Sequence, residues 1–76
     1  MIDAKAGEKV WVLGWSGFCG PDEQEVVVAV DIRYDNITGK KYKEYVLSGE
    51  RRFDGRDGHA ITPPLAYSIQ NVVKQP

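Results

Sequence analysis

The chain has 76 residues, of which 42% are hydrophobic and 28% are charged, and its formal net charge at pH 7 is −1. This length allows one domain, and this composition excludes a disordered tail. The small net charge and a pI of about 5.7 exclude a molecule that attracts nucleic acid or acidic membrane over its whole surface. Charge is nevertheless uneven. Residues 1–32 contain six acids and two lysines, whereas residues 33–56 contain seven bases and four acids.

Cysteine content and the apolar runs indicate the cellular setting. Cys19 is the only cysteine, so no intrachain disulfide can form. Residues 1–5 lack the apolar core of a signal peptide, and no apolar run reaches the length of a membrane span. These features predict a cytoplasmic protein without membrane contact. We expect no cofactor, because no glycine pattern fits a phosphate loop followed by a helix.

The first half of the chain predicts two strands separated by a long loop. Residues 8–13 are β-branched and aromatic, and the glycines and proline of residues 14–23 then break regular structure. Residues 25–34 alternate with a period of two, which predicts a half-buried strand. One parity forms its apolar face, with Val27 the one large apolar residue out of place: Val26, Val28, Val30, Ile32 and Tyr34.

The second half predicts two hairpins and a final strand. Residues 35–39 fit a type I turn closed by a left-handed glycine, and residues 40–47 return as the paired strand, with a β-bulge near Glu44 or Tyr45 to reconcile its faces. Residues 51–54 and 59–61 predict a second hairpin. Two consecutive prolines then exclude a ladder strand, so we expect a short 3₁₀ turn at residues 64–66 before a last strand at 67–70.

This order of elements resembles the SH3-like barrel over nearly the whole chain, and the resemblance implies a small five-stranded all-β barrel. It is carried by residues 7–10, the hairpin from Tyr34 to Tyr42 and the Pro63-Pro64 turn. Within that superfamily the chain also looks loosely like the plasmid-type dihydrofolate reductases. Residues 59–62, His-Ala-Ile-Thr, stand where those enzymes have their ligand-binding Val-Gln-Ile-Tyr, so their activity is not carried over. In size and style the chain also resembles small phage and mobile-element proteins that act on host proteins.

Bulky rings in and beside the 14–24 loop are candidate anchors for a partner. Trp11 has the parity opposite to Val10 and Val12, so inward valines would place it on the outer face or at a mouth of the barrel. Trp15 and Phe18 lie in the loop itself, where large apolar groups are costly to expose without a use. The alternative is that these rings cap the small core.

A second candidate surface mixes rings and cations along residues 40–52. Its candidate partner-binding residues are Tyr42, Tyr45 and Arg52, and they are accompanied by Lys40, Lys41, Lys43 and Arg51. Such a surface would suit single-stranded nucleic acid, in which bases stack on rings and phosphates pair with cations. The alternative is that half of the rings are core and that the lysines guard a strand edge against aggregation.

Two further constellations favour no site. Asp54, Asp57 and His59 hint at a metal loop, but turn chemistry explains both Asp-Gly pairs and the regular acid ligands of a calcium loop are missing. Cys19 has His59 as its one candidate base and no third orienting residue. We therefore predict neither a metal site nor a catalytic residue.

Three functions remain open at this point. The first is a binding or adaptor module whose protein partner sits on a groove between the 14–24 loop and the 35–39 or 55–58 hairpin tips. The second is an enzyme subunit whose site forms only between self-associated chains, because a barrel this small has no interior pocket. The third is nucleic-acid binding through residues 40–52.

Overall fold

The computed structural model describes residues 1–14, 23–63 and 65–72. It contains five strands and one short 3₁₀ turn: β1 (Lys9–Leu13), β2 (Glu23–Tyr34), β3 (Lys41–Leu47), the turn Ser48–Glu50, β4 (Arg51–Asp54) and β5 (Ser68–Asn71). All neighbouring strands are antiparallel, in the order β4-β3-β2-β1-β5, and they curl into a half-barrel. The predicted all-β fold of five strands is confirmed. The predicted first loop falls largely on residues 15–22, which lie outside the described residues.

Residues 58–60, which we call the seam, join the two outer strands of the sheet. Phe53 of β4 bridges Ala60, and Ser68 of β5 bridges His59. The Ile69 N–H donates to the Gly58 carbonyl at 2.7 Å. The predicted pairing of residues 51–54 with 59–61 is therefore present, and its return segment also connects β4 to β5.

The core lies on the concave side of the sheet and draws on every strand. Its fully covered side chains are Val10, Val27, Tyr45, Leu47, Phe53 and Ile69, and Ile2 and Ala4 of the N-terminal segment are buried with them. Val12 is buried as well, so the valines of β1 do point inward. The N-terminal segment therefore covers one end of the sheet.

Of the five residues predicted to form the apolar face of β2, Val30 alone packs against the core, and in the first half of the strand the inward parity is the opposite one. Val27 is fully buried, whereas Val26 and Val28 are exposed. The cause is a β-bulge in β2 between Val27 and Ala29, opposite Leu47 and Val46, in place of the bulge predicted near Glu44 or Tyr45 in β3. A bulge inserts one extra residue and reverses which parity faces the core. Val30, beyond the bulge, accordingly packs against the core.

The hairpin between β2 and β3 turns as predicted. The Asp35 N–H donates to the Lys40 carbonyl, the Gly39 N–H donates to the Asp35 carbonyl, and Gly39 has φ +72°. The Asp35 carboxylate also accepts the N–H groups of Ile37 and Thr38. An aspartate at the start and a left-handed glycine at the end therefore hold this tip in one conformation.

The described 3₁₀ turn, Ser48–Glu50, lies between β3 and β4. The predicted turn at residues 64–66 includes Pro64, which is outside the described residues, and Leu65 and Ala66 lie in a turn that precedes β5. In the described part of the chain, no helix is long and apolar enough to cross a membrane.

Gly58 should tolerate no side chain. Its φ is +82°, and a Cβ there would overlap the Ile69 carbonyl oxygen across the seam. Gly39 has a similar φ but nothing within 4 Å of the added atom. We expect Gly58→Ala to lower the free energy of unfolding by about 3 kcal/mol or more and Gly39→Ala by about 1 kcal/mol. Urea denaturation measures both, and equal losses would contradict the close packing of the seam.

Tyr45 should stabilise the fold through its hydroxyl as well as its ring. The hydroxyl donates to the Ile2 carbonyl at 2.9 Å and accepts the Ala4 N–H at 3.3 Å, both in buried surroundings. We expect Tyr45→Phe to cost about 1 kcal/mol, because two buried backbone groups lose their partner. The control is Tyr67→Phe, a change at an exposed ring. A Tyr45→Phe protein as stable as the control would show that the N-terminal segment is not anchored in this way.

Candidate functional site

A groove of about 760 Å³ lies between the N-terminal segment and the tip of the β2–β3 hairpin. Met1 and Ile2 form one wall, Ile32 and Lys43 contribute to the other, and Arg56 lies at one end. Its surface is mainly apolar. The groove thus adjoins both hairpin tips, 35–39 and 55–58, that the sequence marked as places for a partner.

The N-terminal wall of the groove is fixed by hydrogen bonds. The Ile2 N–H donates to the Gly55 carbonyl at 2.8 Å, and the Tyr45 hydroxyl donates to the Ile2 carbonyl. The Asn71 side-chain amide donates to the Met1 carbonyl at 3.0 Å. These bonds tie residues 1 and 2 to β5, to the core and to the 55–58 tip. The groove is therefore present before any partner binds.

The hairpin wall presents apolar side chains to solvent. Ile32 is 52% exposed and Tyr34 is 61% exposed. The register places Ile32 beside Lys43 and Tyr34 beside Lys41, so these four side chains share one face of the hairpin. The Lys41 ammonium lies 5.9 Å from the centre of the Tyr34 ring. The face is amphipathic, with apolar groups on β2 and cations on β3.

Arg56 covers the ring of Tyr42 at the end of the groove. Its guanidinium lies 3.8 Å from the ring centre. It also forms two-pronged hydrogen bonds to the Asp54 carboxylate and a further bond to Asp35 at 2.9 Å. These bonds to Asp54 raise the pKa of Arg56 and hold the pKa of Asp54 below its usual value. The pKa of Asp35 is also lowered, first by the N–H groups of Thr38 and Ile37 and then by Arg56.

Arginines and lysines play different parts on this surface. Every arginine has a carboxylate partner: Arg33 binds Glu44, Arg51 binds Glu25, Arg52 binds Asp31 and Glu44, and Arg56 binds Asp54 and Asp35. Lys40, Lys41 and Lys43 line the groove and form no ion pair with any residue in the described ranges. Three of the five described lysines, all without a carboxylate partner, therefore line the groove, whereas Lys5 and Lys9 lie outside it.

The partner-binding residues proposed from strands β3 and β4 have different surroundings in the structure. Tyr42 lies in the groove, but its ring is covered by Arg56. Tyr45 is completely buried, so it serves the core and has no surface to offer a partner. Arg52 is held by two acids at a distance from the groove lining.

Of the three anchors proposed in and beside the first loop, Trp11 is the one that the structure describes. Trp11 is half-buried on the outer face of β1, where it faces Gln24 and Gln70 on the neighbouring strands. It is not part of the groove lining. Trp15 and Phe18 lie outside the described residues.

Sequence reasoning missed Met1, Ile2 and Ile32 as site residues. Ile32 was assigned to the apolar face of a half-buried strand, and no pattern in the sequence shows that β2 continues past the core as an exposed hairpin. The signal that was available is the charge distribution, because Lys40, Lys41 and Lys43 stand together beside the predicted turn. The two acids considered as metal ligands have other partners: Asp54 binds Arg56, and Asp57 accepts the His59 N–H. No group of three or more potential metal ligands occurs among the described residues.

The bond between Asp54 and Arg56 should make stability depend on acidity. A carboxylate with a lowered pKa in the folded state stabilises the fold above its unfolded pKa, and this contribution disappears as the pH falls through the folded value. We expect Asp54→Asn to be less stable than the parent at pH 7 and the difference to shrink as the pH falls below about 4. Urea unfolding at several pH values measures it, with exposed Asp57→Asn as the control. A difference that is constant with pH would contradict the ion pair.

Comparisons with protein-family models, with curated proteins and with solved structures found no match to this chain.

Proposed function

We propose that this domain is a small binding module that holds an acidic segment of a partner protein in the groove between its two hairpin tips. The observation that carries the proposal is the pairing of an exposed apolar groove with three lysines that lack an acidic partner in the described chain. A small barrel is filled by its own side chains, so binding has to use the rim. The resemblance to SH3-like barrels supports the same view.

Charge complementarity favours an acidic segment. Lys40, Lys41 and Lys43 place three positive charges along one side of the groove. Among the described residues that line the groove, Asp35 is already bound to Arg56, and Asp3, on the opposite wall, is the one other acid that could offset them. Carboxylates on a partner would pair with these lysines, and its apolar side chains would cover Ile32 and Met1.

The available rings favour a protein over single-stranded nucleic acid. Base stacking needs open ring faces. The Tyr42 ring is covered by the guanidinium of Arg56, and both Tyr45 and Phe53 are buried in the core. On the groove side of the hairpin, Tyr34 is the ring that remains exposed among the described residues. One ring is a poor stacking platform.

The cytoplasmic location, the mobile-element origin and the self-association predicted from the sequence are part of this proposal. A cytoplasmic setting follows from the single cysteine, and origin in a phage or other mobile element rests on resemblance in size alone. A site shared between self-associated chains stays a prediction. Light scattering at tens of micromolar tests it, because a strict monomer would contradict a pore between chains.

Selection from a displayed library of random peptides tests the proposed function. We expect the peptides retained by the folded domain to be enriched in acidic and apolar residues. The double variant Lys41→Glu, Lys43→Glu should lose at least about tenfold in affinity for them, because two attractive contacts become repulsive. The matched control is Lys5→Glu, Lys9→Glu, which changes the net charge equally at exposed lysines outside the groove.

Either of two results would contradict the proposal. Peptides bound equally well by both double variants would use another surface. A domain that retains no peptides but binds an oligothymidylate probe, with affinity that falls steeply as salt rises, would be a nucleic-acid binder instead.

A further inference from the structure

Strand β2 is paired along only part of one edge. It spans Glu23–Tyr34, but β1 pairs with residues 23–26 alone. The last bonds to that side are made by Val27, which donates to the Glu8 carbonyl and accepts the Gly7 N–H. On its other edge β3 accompanies it to Tyr34. Within residues 1–14, 23–63 and 65–72, no segment forms a ladder with the second half of β2 on the β1 side. With respect to the described part of the chain, that half is therefore an open sheet edge.

The backbone groups at this edge can be identified from the hairpin. The Asp35 N–H donates to the Lys40 carbonyl, which makes residues 35 and 40 a hydrogen-bonded pair. Such pairs alternate along an antiparallel ladder, so Arg33 and Asp31 also direct their backbone groups toward β3. Val30, Ile32 and Tyr34 then direct their N–H and carbonyl groups away from β3. The bulge produces this arrangement, because before it the odd residue Val27 bonds toward β1.

The open edge lacks lysine and proline, two residues that commonly block strand pairing. Native edges carry lysine, proline or an inward charge. Residues 30–34 contain no lysine or proline, and the side chains of Asp31 and Arg33 are engaged by Arg52 and Glu44. Ile32 and Tyr34 expose apolar surface on the groove face. The edge therefore offers both unpaired backbone groups and an apolar side-chain row.

Charge decides between the two possible occupants of this edge. A second copy of the chain paired here would add its own Lys40, Lys41 and Lys43 to the same face of the joined sheet, and such a concentration of unpaired positive charge disfavours association. An acidic segment from another protein would meet the same lysines favourably. The occupant is thus a partner segment that carries carboxylates.

We propose that the acidic partner segment binds as an extra β-strand along the open edge of β2, with its backbone bonded to Val30, Ile32 and Tyr34. This inference rests on the proposed function and adds how the segment is held. Alternate residues of an added strand point to the same face, so every second side chain of the partner enters the groove beside Ile32. Main-chain bonds supply affinity, and the groove and its lysines supply selectivity.

Amide hydrogen exchange of the whole chain, followed by nuclear magnetic resonance, tests the open edge without any partner. We expect the amides of Ile32 and Tyr34 to exchange rapidly and those of Asp31 and Arg33 to exchange slowly, because only the latter donate to β3. Slow exchange at Ile32 and Tyr34 at every protein concentration would show that the edge is already occupied. Slow exchange that appears only as the concentration rises would assign it to a second copy. Either result overturns the proposal.

The same measurement in the presence of a library-selected peptide tests strand addition itself. Saturating peptide should slow exchange at Ile32 and Tyr34 by at least about tenfold and leave Asp31 and Arg33 slow. N-methylation of the peptide at every second residue in the register that faces β2 should abolish binding. The control peptide, methylated at the intervening residues, should bind as before.

The outcomes separate this inference from the proposed function. A peptide that binds, is weakened by Lys41→Glu, Lys43→Glu, and leaves exchange at Ile32 and Tyr34 unchanged would occupy the groove through side chains alone. That result overturns strand addition and keeps the binding module. The absence of any retained peptide overturns both.

Discussion

The bulge between Val27 and Ala29 determines how β2 serves both halves of the molecule. A regular strand keeps one parity toward the core along its whole length. β2 instead buries an odd residue, Val27, beside β1 and directs an even residue, Val30, toward the core beside β3. The same extra residue exchanges the parities of the backbone, so that after it odd residues bond to β3 and even residues present their N–H and carbonyl groups on the β1 side. The side chains that β2 presents on the groove face and the backbone groups at its open edge both depend on this one irregularity.

Arginines and lysines differ in how firmly their charges are held on the surface of this domain. Glu44 is buried between Arg33 and Arg52, and Arg56 is fixed on Tyr42 by Asp54 and Asp35. The planar guanidinium group, with its several donors, suits such fixed arrangements. Lysine keeps a compact, hydrated charge on a flexible stem. The lysines at the groove therefore remain available to an incoming carboxylate at little cost to the fold.

Much of the fold could be predicted from local sequence, and the site could not. The hairpin tip at residues 35–39 follows from its aspartate and glycine, and the alternation of Val10, Trp11 and Val12 predicts that Trp11 and the valines lie on opposite faces of β1, although it does not decide which face is buried. The position of the bulge depends on how β2 is shared between β1 and β3, which is a long-range property. The groove depends on the docking of Ile2 against Gly55 and Tyr45, residues far apart in the chain.

The seam formed by residues 58–60 is a weak joint in the sheet. Among the described residues, isolated bridges and a few backbone bonds join β4 to β5 through it, whereas β2 and β3 share a long ladder. Local opening of the sheet would start at the seam. It would expose Phe53 and Ile69 to water before it disturbed the β2–β3 hairpin. The region that limits the lifetime of the folded state is thus different from the region that would receive a partner.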